Sequence, residues 1–250
     1  MSTFALKIVA LMAMIIDHSG HLVQNVYSWE LGMPLRYIGR LAFPMYGFLI
    51  GQGCKHTKDI KKYLSRLLVF AFISEIPFDL FRANIGKPGW MSINFMDFSH
   101  QNVFFTLFLG GLVIAIYLYS KMEYAKGYSF IITAVVMFSA VFVADFCGTD
   151  YSGEGVILIS LPFIVADSVS NERAQKYLYI LFLGACLFMI YVGSGAIILS
   201  AALASLIFVF LYNGEKGRNL KWFFYMIYPI HLMILFGIWF FFLRVREVLL

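Results

Sequence analysis

Apolar runs of about 17 to 25 residues recur from one end of this chain to the other with only short polar breaks, and runs of that length match what a helix needs to cross a bilayer. Of the 250 residues 61% are hydrophobic and 13% charged, and the mean hydropathy is +0.82, far from the balance of a soluble domain. The chain reads as an all-α, polytopic membrane protein in a single domain, residues 1–250. Nine spans are expected, at 4–25, 35–54, 63–82, 101–120, 128–146, 154–168, 175–191, 195–212 and 222–243. Eight or ten remain open, because the sixth is short and only Val192, Gly193 and Ser194 part the seventh from the eighth. The first run lacks a basic leader and a small-residue cleavage pattern, so it is expected to stay as a signal anchor. Cys54, Cys147 and Cys186 are scattered, without CxxC spacing, and read as structural.

Prolines interrupt several spans. Each removes the hydrogen bond its nitrogen would give to the carbonyl four residues earlier, so Pro44 frees Arg40, Pro77 frees Ile73 and Pro229 frees Tyr225. Kinked helices with such freed carbonyls persist in a membrane where they are buried in protein or line a polar cavity. Basic residues set the direction, since those in short loops stay in the cytoplasm. Lys7 and the alternate breaks hold 13 of the 19 Lys and Arg residues, with Lys55, Lys58, Lys61, Lys62 and Arg66 in the richest break. The other side has Arg36, Arg40, Arg82, Lys87, Arg244 and Arg246. The expected location is the inner membrane, with the N-terminus cytoplasmic and the last span ending outside. The net charge of +5 is mostly this sorting signal and does not imply nucleic acid.

The acidic residues and histidines collect at the outer ends. Asp17, His18 and His21 close the first span, Arg36 and Arg40 begin the second, and Glu75 and Asp79 end the third. "NFMDFSHQN" brings Asp97, His100, Gln101 and Asn102 to the start of the fourth. His231 lies well inside the last span, where an ionisable residue is a functional candidate by default. Asp17 and His21 are four apart and share a face, so the carboxylate is placed to orient the imidazole; His18 points about 100° away and needs another partner. Arg36 and Arg40 share a face, as do Glu75 and Asp79, and the simplest use of these two pairs is to lock the second helix to the third. Adjacent ionisable groups such as Asp17 and His18 are not what capping or core packing requires. With His21 they also have HxxH spacing, but no further clear ligand pair supports a metal site, and no metal is expected.

"DHSG" at the end of the first span, "RYIGRLAFPMYGFLIGQG" (36–53), "YLSRLLVFAFISEIPFDL" (63–80), "QNVFFTLFLG" (101–110) and "YPIHL" (228–232) together resemble the TraX family, in the same order and over most of the chain. The resemblance implies a polytopic inner-membrane acetyltransferase, similar in outline to the larger group of membrane acyltransferases with a histidine near the end of an early helix. It implies acetyl-CoA, or another acyl-CoA, as donor, and as acceptor an extracytoplasmic or membrane-borne amine or hydroxyl: a pilin N-terminus, a sugar, a peptide or a small amine. His18 would then be the general base, Asp17 and His21 its supports, Arg36 or Arg40 the partner of developing oxyanion charge, and His231 a second acid or base or part of the passage for the donor's arm. Glu75, Asp79, His100 and Asn102 would meet the acceptor. Lys58, Lys61, Lys62 and Arg66 would grip the donor's phosphates, although their place on the positive side already accounts for them.

Other classes compete. Broken helices and buried ionisable groups also mark proton-coupled solute transporters, but Pro44, Pro77, Pro162 and Pro229 do not fall into two matching halves. A metal-dependent membrane hydrolase built on Asp17, His18 and His21, and an assembly factor without chemistry, are the remaining readings. The topology has a direct test: reporter fusions placed after Lys62 and after Ser92 are expected to report opposite sides, cytoplasmic for the first, and the same side for both would overturn the placement of every outer-side residue above.

Overall fold

The computed structural model describes residues 1–87, 93–97, 99–218 and 220–249, with side chains through residue 242. Ser92, Arg244 and Arg246 therefore lie outside what is described of the loop and of the last side chains. Among the described residues the chain forms ten α-helices and no strand: α1 Thr3–Val26, α2 Trp29–Gly39, α3 Ala42–His56, α4 Ile60–Asn84, α5 Val103–Glu123, α6 Lys126–Phe146, α7 Ser152–Asp167, α8 Glu172–Tyr191, α9 Ala196–Phe210 and α10 Lys221–Leu249. A single 3-10 turn, Val192–Ser194, joins α8 to α9. Helix starts carry the residues that satisfy orphan backbone N–H groups. The Ser28 hydroxyl accepts from Leu31 N (3.2 Å), the Asp59 carboxylate from Lys62 N (2.9 Å), the Asn102 amide oxygen from Phe104 N (3.0 Å) and that of Asn171 from Ala174 N (3.1 Å).

The expected second span is two helices. Arg40 N turns back to Tyr37 O (3.1 Å) and Leu41 N to Ile38 O (3.2 Å), a tight turn that ends α2. Pro44 then falls in the first turn of α3, where its missing N–H has no helical partner to lose. The proline stands at the start of a helix rather than kinking one. Residues 29–34, read as loop from sequence, begin α2 because Ser28 caps it and Glu30 stands in its first turn.

Among the described residues five helices are long and apolar enough to cross a membrane: α1, α5, α6, α8 with its 3-10 extension, and α10. Their outward faces are apolar as well. Phe130 and Phe138 on α6 are each 75% exposed, a pattern that suits hydrocarbon and not water. The protein is a helical membrane protein.

α3 stands at the centre, packed by α1, α5, α7 and α9, while α1, α10, α4 and α5 close a ring beside it. The core runs through Leu6, Met45, Ile114, Leu158, Leu183 and Leu232, all fully buried. Alternate loops gather at the same end. At one, Thr3 N donates to Glu215 O (2.7 Å), Asn213 N to Met1 O (3.0 Å) and Lys121 Nζ to Asp167 Oδ2 (2.8 Å). At the other, Gln101 N bonds Gly148 O (3.1 Å) and Asp150 N bonds Gln101 O (2.8 Å).

α2 folds back on the C-terminal half of α1, with glycines where the backbones are closest. A Cβ at Gly32 would stand 2.5 Å from Gln24 Cβ, and one at Gly39 would fall directly on the Asp17 side chain. Gly39→Ala is therefore expected to destabilise the fold by about 1–3 kcal/mol through overpacking, read as a lower unfolding temperature in detergent. Gly193→Ala, whose Cβ meets nothing within 4 Å, serves as the unchanged control.

Candidate active site

Asp17 is shared between two arginines. Arg36 Nη1 donates to Asp17 Oδ2 at 2.6 Å and Arg40 Nη2 to Oδ1 at 2.7 Å, while Arg40 Nε reaches back to Arg36 O at 3.2 Å. The side chains of Asp17, Arg36 and Arg40 are 14%, 27% and 17% exposed, so this is a largely desolvated three-charge cluster with one net positive charge. It corrects two expectations. The arginines bind α2 to α1 rather than to Glu75 and Asp79 on α4, and Asp17, saturated by them, does not orient His21. Neither arginine lines the cavity described below.

His18 follows Asp17 and turns to the last helix. Its Nδ1 lies 2.7 Å from Nε2 of His231, 213 residues away, and His231 Nδ1 lies 2.8 Å from the Ile227 carbonyl. The ring centres are 4.9 Å apart and the planes differ by 27°, about the nitrogen separation plus one ring radius at each end. The rings therefore meet edge to edge, as a hydrogen bond requires. Phe81 and Tyr228 enclose the pair, with ring centres 5.5 and 6.1 Å from that of His18. The sequence singled out both histidines, but pairing them needed the packing of α1 against α10.

His18 and Asp17 stand at one end of a cavity of about 400 Å³ that runs between α1, α3, α4, α5 and α10. Its opposite end is basic: Lys7, His56, Arg66, Lys216 and Lys221 line it together with Thr3, Gln52 and Gly214. Between the two ends the walls are Tyr46, Leu49, Ile50, Leu107, Tyr225 and Tyr228. Lys7 and His18 are eleven residues apart on α1, so the ends are separated by roughly 16 Å of helix rise. Arg66 Nε is buried and has no hydrogen-bond partner. At the His18 end, Asp150 of the α6–α7 loop also lines the cavity. Beside it Tyr151 stacks on Phe43 with ring centres 3.6 Å apart, held by a left-handed backbone (φ 66°) that continues into Ser152 (φ 46°).

Of the four cationic residues expected to hold phosphates, only Arg66 lines the cavity. Lys58, Lys61 and Lys62 are exposed outside it, and Lys62 pairs with Asp59 at 3.2 Å. Lys7, Lys216 and Lys221 were missed because they lie far apart in sequence and each had a sufficient explanation as a topology signal. Glu75, Asp79 and Asn102 form a separate cluster that stitches α4 to the loop before α5. Asn102 Nδ2 donates to the Ala71 carbonyl (2.8 Å) and to Glu75, Asn102 N donates to Glu75 Oε2 (3.2 Å), and Asp97 N donates to Asp79 Oδ2 (2.9 Å). His100 is exposed at that end and does not line the cavity. His21 bonds Asn25, whose Nδ2 lies 3.4 Å from its Nδ1, and packs on Phe81. Among the described residues no three His, Cys, Asp or Glu side chains are grouped to hold a metal ion.

Comparison with known proteins agrees with this layout in extent. The "Probable fimbrial assembly protein FimC, serogroup H1" of Dichelobacter nodosus is 28% identical over 246 residues, covering 94% of each chain. No solved structure matches. The family described as TraX protein matches residues 2–239, from the basic mouth on α1 through the His231 helix, and this chain belongs to the TraX family.

Proposed function

We propose that the protein is a membrane acyltransferase that moves an acetyl group from cytoplasmic acetyl-CoA to an extracytoplasmic or membrane-borne amine or hydroxyl. The observation that carries this reading is the single cavity joining a basic mouth to His18. A thioester donor with a phosphate-rich head and a long flexible arm suits that shape: charged head among Lys7, Arg66, Lys216 and Lys221, arm along the aromatic walls, acyl carbon beside the histidine. Arginine and lysine are the usual partners of phosphate, and the unpartnered Arg66 Nε supports an anionic ligand there. The name of the Dichelobacter relative, a fimbrial assembly protein, supports an acceptor on a fimbrial subunit. In this reading α1 and α3 to α10 cross the inner membrane, with the N-terminus and the basic mouth cytoplasmic.

His18 is the general base. Its Nε2 takes the proton of the acceptor N–H or O–H as the acceptor attacks the thioester carbonyl; the new C–N or C–O bond forms, the C–S bond breaks, and the departing thiolate recovers the proton from His18. The histidine ends as it began. The net positive charge of the Asp17, Arg36 and Arg40 cluster, one residue away, favours the negative charge that develops on the carbonyl oxygen without touching it.

Two measurements test this. His18→Ala is expected to slow transfer of labelled acetyl by about a hundredfold to ten-thousandfold, as loss of a positioned base does, while acetyl-CoA affinity is unchanged. The wild-type rate should fall on acidification, because a protonated ring cannot accept a proton; His231, His21, Arg36 and Arg40 are the charged or titratable neighbours that set where it falls. Separately, the Lys7→Ala, Lys216→Ala, Lys221→Ala triple variant should weaken acetyl-CoA binding about tenfold or more, given roughly 1.5–3 kcal/mol per charge-assisted contact, and flatten its salt dependence. Neutralising Lys58, Lys61 and Lys62 should do neither. The reverse pattern would move the phosphates out of the cavity.

A further inference from the structure

The hydrogen bonds around His231 determine where the protons of the histidine pair reside. A backbone carbonyl can only accept, so the 2.8 Å contact to Ile227 O puts a proton on His231 Nδ1. In a neutral imidazole the other nitrogen is then an acceptor. The 2.7 Å contact between His231 Nε2 and His18 Nδ1 therefore has His18 as donor, and His18 is left with its proton on Nδ1 and a free lone pair on Nε2. No hydrogen bond reaches His18 Nε2 among the described residues, and His18 lines the cavity whereas His231 does not. The order is carbonyl, His231, His18, cavity.

We infer that His231 is a positioning residue that locks His18 in the tautomer able to act as a base toward the cavity, with the Ile227 carbonyl as the fixed end of the chain. This rests on His18 being the base of the proposed acyl transfer. His231 does for His18 what a carboxylate commonly does for a catalytic imidazole, with one difference. Its acceptor is neutral, so the ground state carries no buried counter-ion, and the charge appears only when His18 takes the acceptor's proton. The imidazolium formed then donates through Nδ1 to His231 Nε2, a charge-assisted bond stronger than the neutral one before it. Interactions that strengthen as the reaction proceeds raise kcat rather than ground-state affinity. Left without this partner, a histidine reverts to the tautomer with its proton on Nε2, which turns a donor toward the cavity where a lone pair is needed.

The test needs one acceptor at the position of His231 Nε2. A glutamine places its amide oxygen at about that reach and accepts from His18 Nδ1; a leucine fills similar space and accepts nothing. In purified, nanodisc-embedded protein, His231→Leu is expected to lower kcat tenfold or more with KM for acetyl-CoA unchanged, and His231→Gln to restore most of that loss. Nitrogen-15 NMR of histidine-labelled protein supplies a readout independent of turnover: His18 should carry its proton on Nδ1 in the wild type and in His231→Gln, and on Nε2 in His231→Leu. Should the leucine variant not fold, the glutamine variant and the wild-type spectrum still decide, since a wild-type His18 protonated on Nε2 overturns the inference outright. Equal kcat losses in both variants with His18 unchanged in the spectra would make His231 a packing residue. A correct tautomer in a protein that transfers no acyl group would leave the hydrogen-bond chain standing and remove the acyltransferase reading.

Discussion

One carboxylate held by two guanidinium groups fixes the end of this molecule where α2 folds back on α1. Asp17 accepts from Arg36 and Arg40 at 2.6 and 2.7 Å; removing that carboxylate would leave two like charges facing each other in a largely desolvated site, at a cost of about 3–5 kcal/mol for an uncompensated buried charge. Because the two arginines are four residues apart on α2, their joint hold on one carboxylate fixes that helix in rotation and in height against α1. Gly39 makes the approach close enough, and Pro44 releases the chain from α2 into α3 at the right place. His18 is the next residue along, so the arrangement that seats α2 also sets the direction in which the imidazole leaves α1.

A polar passage through a membrane protein has to be enclosed by helices that would otherwise collapse onto one another. Here α3 is packed firmly on its α5, α7 and α9 sides and touches α4 only slightly, so the opening lies on one side of the central helix. Large aromatic side chains on α4, α10 and α5 keep it open: Phe70, Tyr225 and Phe104 stack in succession, with centres 4.9 and 6.2 Å apart. Such rigid rings cannot fold inward to fill the space as aliphatic chains could. The cavity is thus a product of packing, with Lys7, Arg66, Lys216 and Lys221 gathered at one end of it and Asp17 and Asp150 at the other.

The sequence made the helical class and the clustering of ionisable residues legible, because each follows from local spacing and from the cost of charge in lipid. It also picked out Asp17, His18, Arg36, Arg40 and His231. What it could not supply were partners. Spacing put Asp17 and His21 on one face correctly, yet the carboxylate went to arginines on a helix that had been read partly as loop. Arg66 was named together with Lys58, Lys61 and Lys62, and of these four it alone lines the cavity, while Lys7 and Lys221, which also line it, looked like ordinary membrane flanks. A local pattern carries no information about which distant helix end will share a rim.

The pairing of His18 with His231 joins the first helix to the last. Chains are made from the N-terminus onward, and contacts between distant segments form late, so α1 waits with an imidazole that has no partner until nine further helices are in place. During that time the chain has half of its histidine pair and one wall missing from its cavity. The centre is completed only when α10 packs on α1, so a chain lacking that contact has neither the histidine pair nor an enclosed cavity.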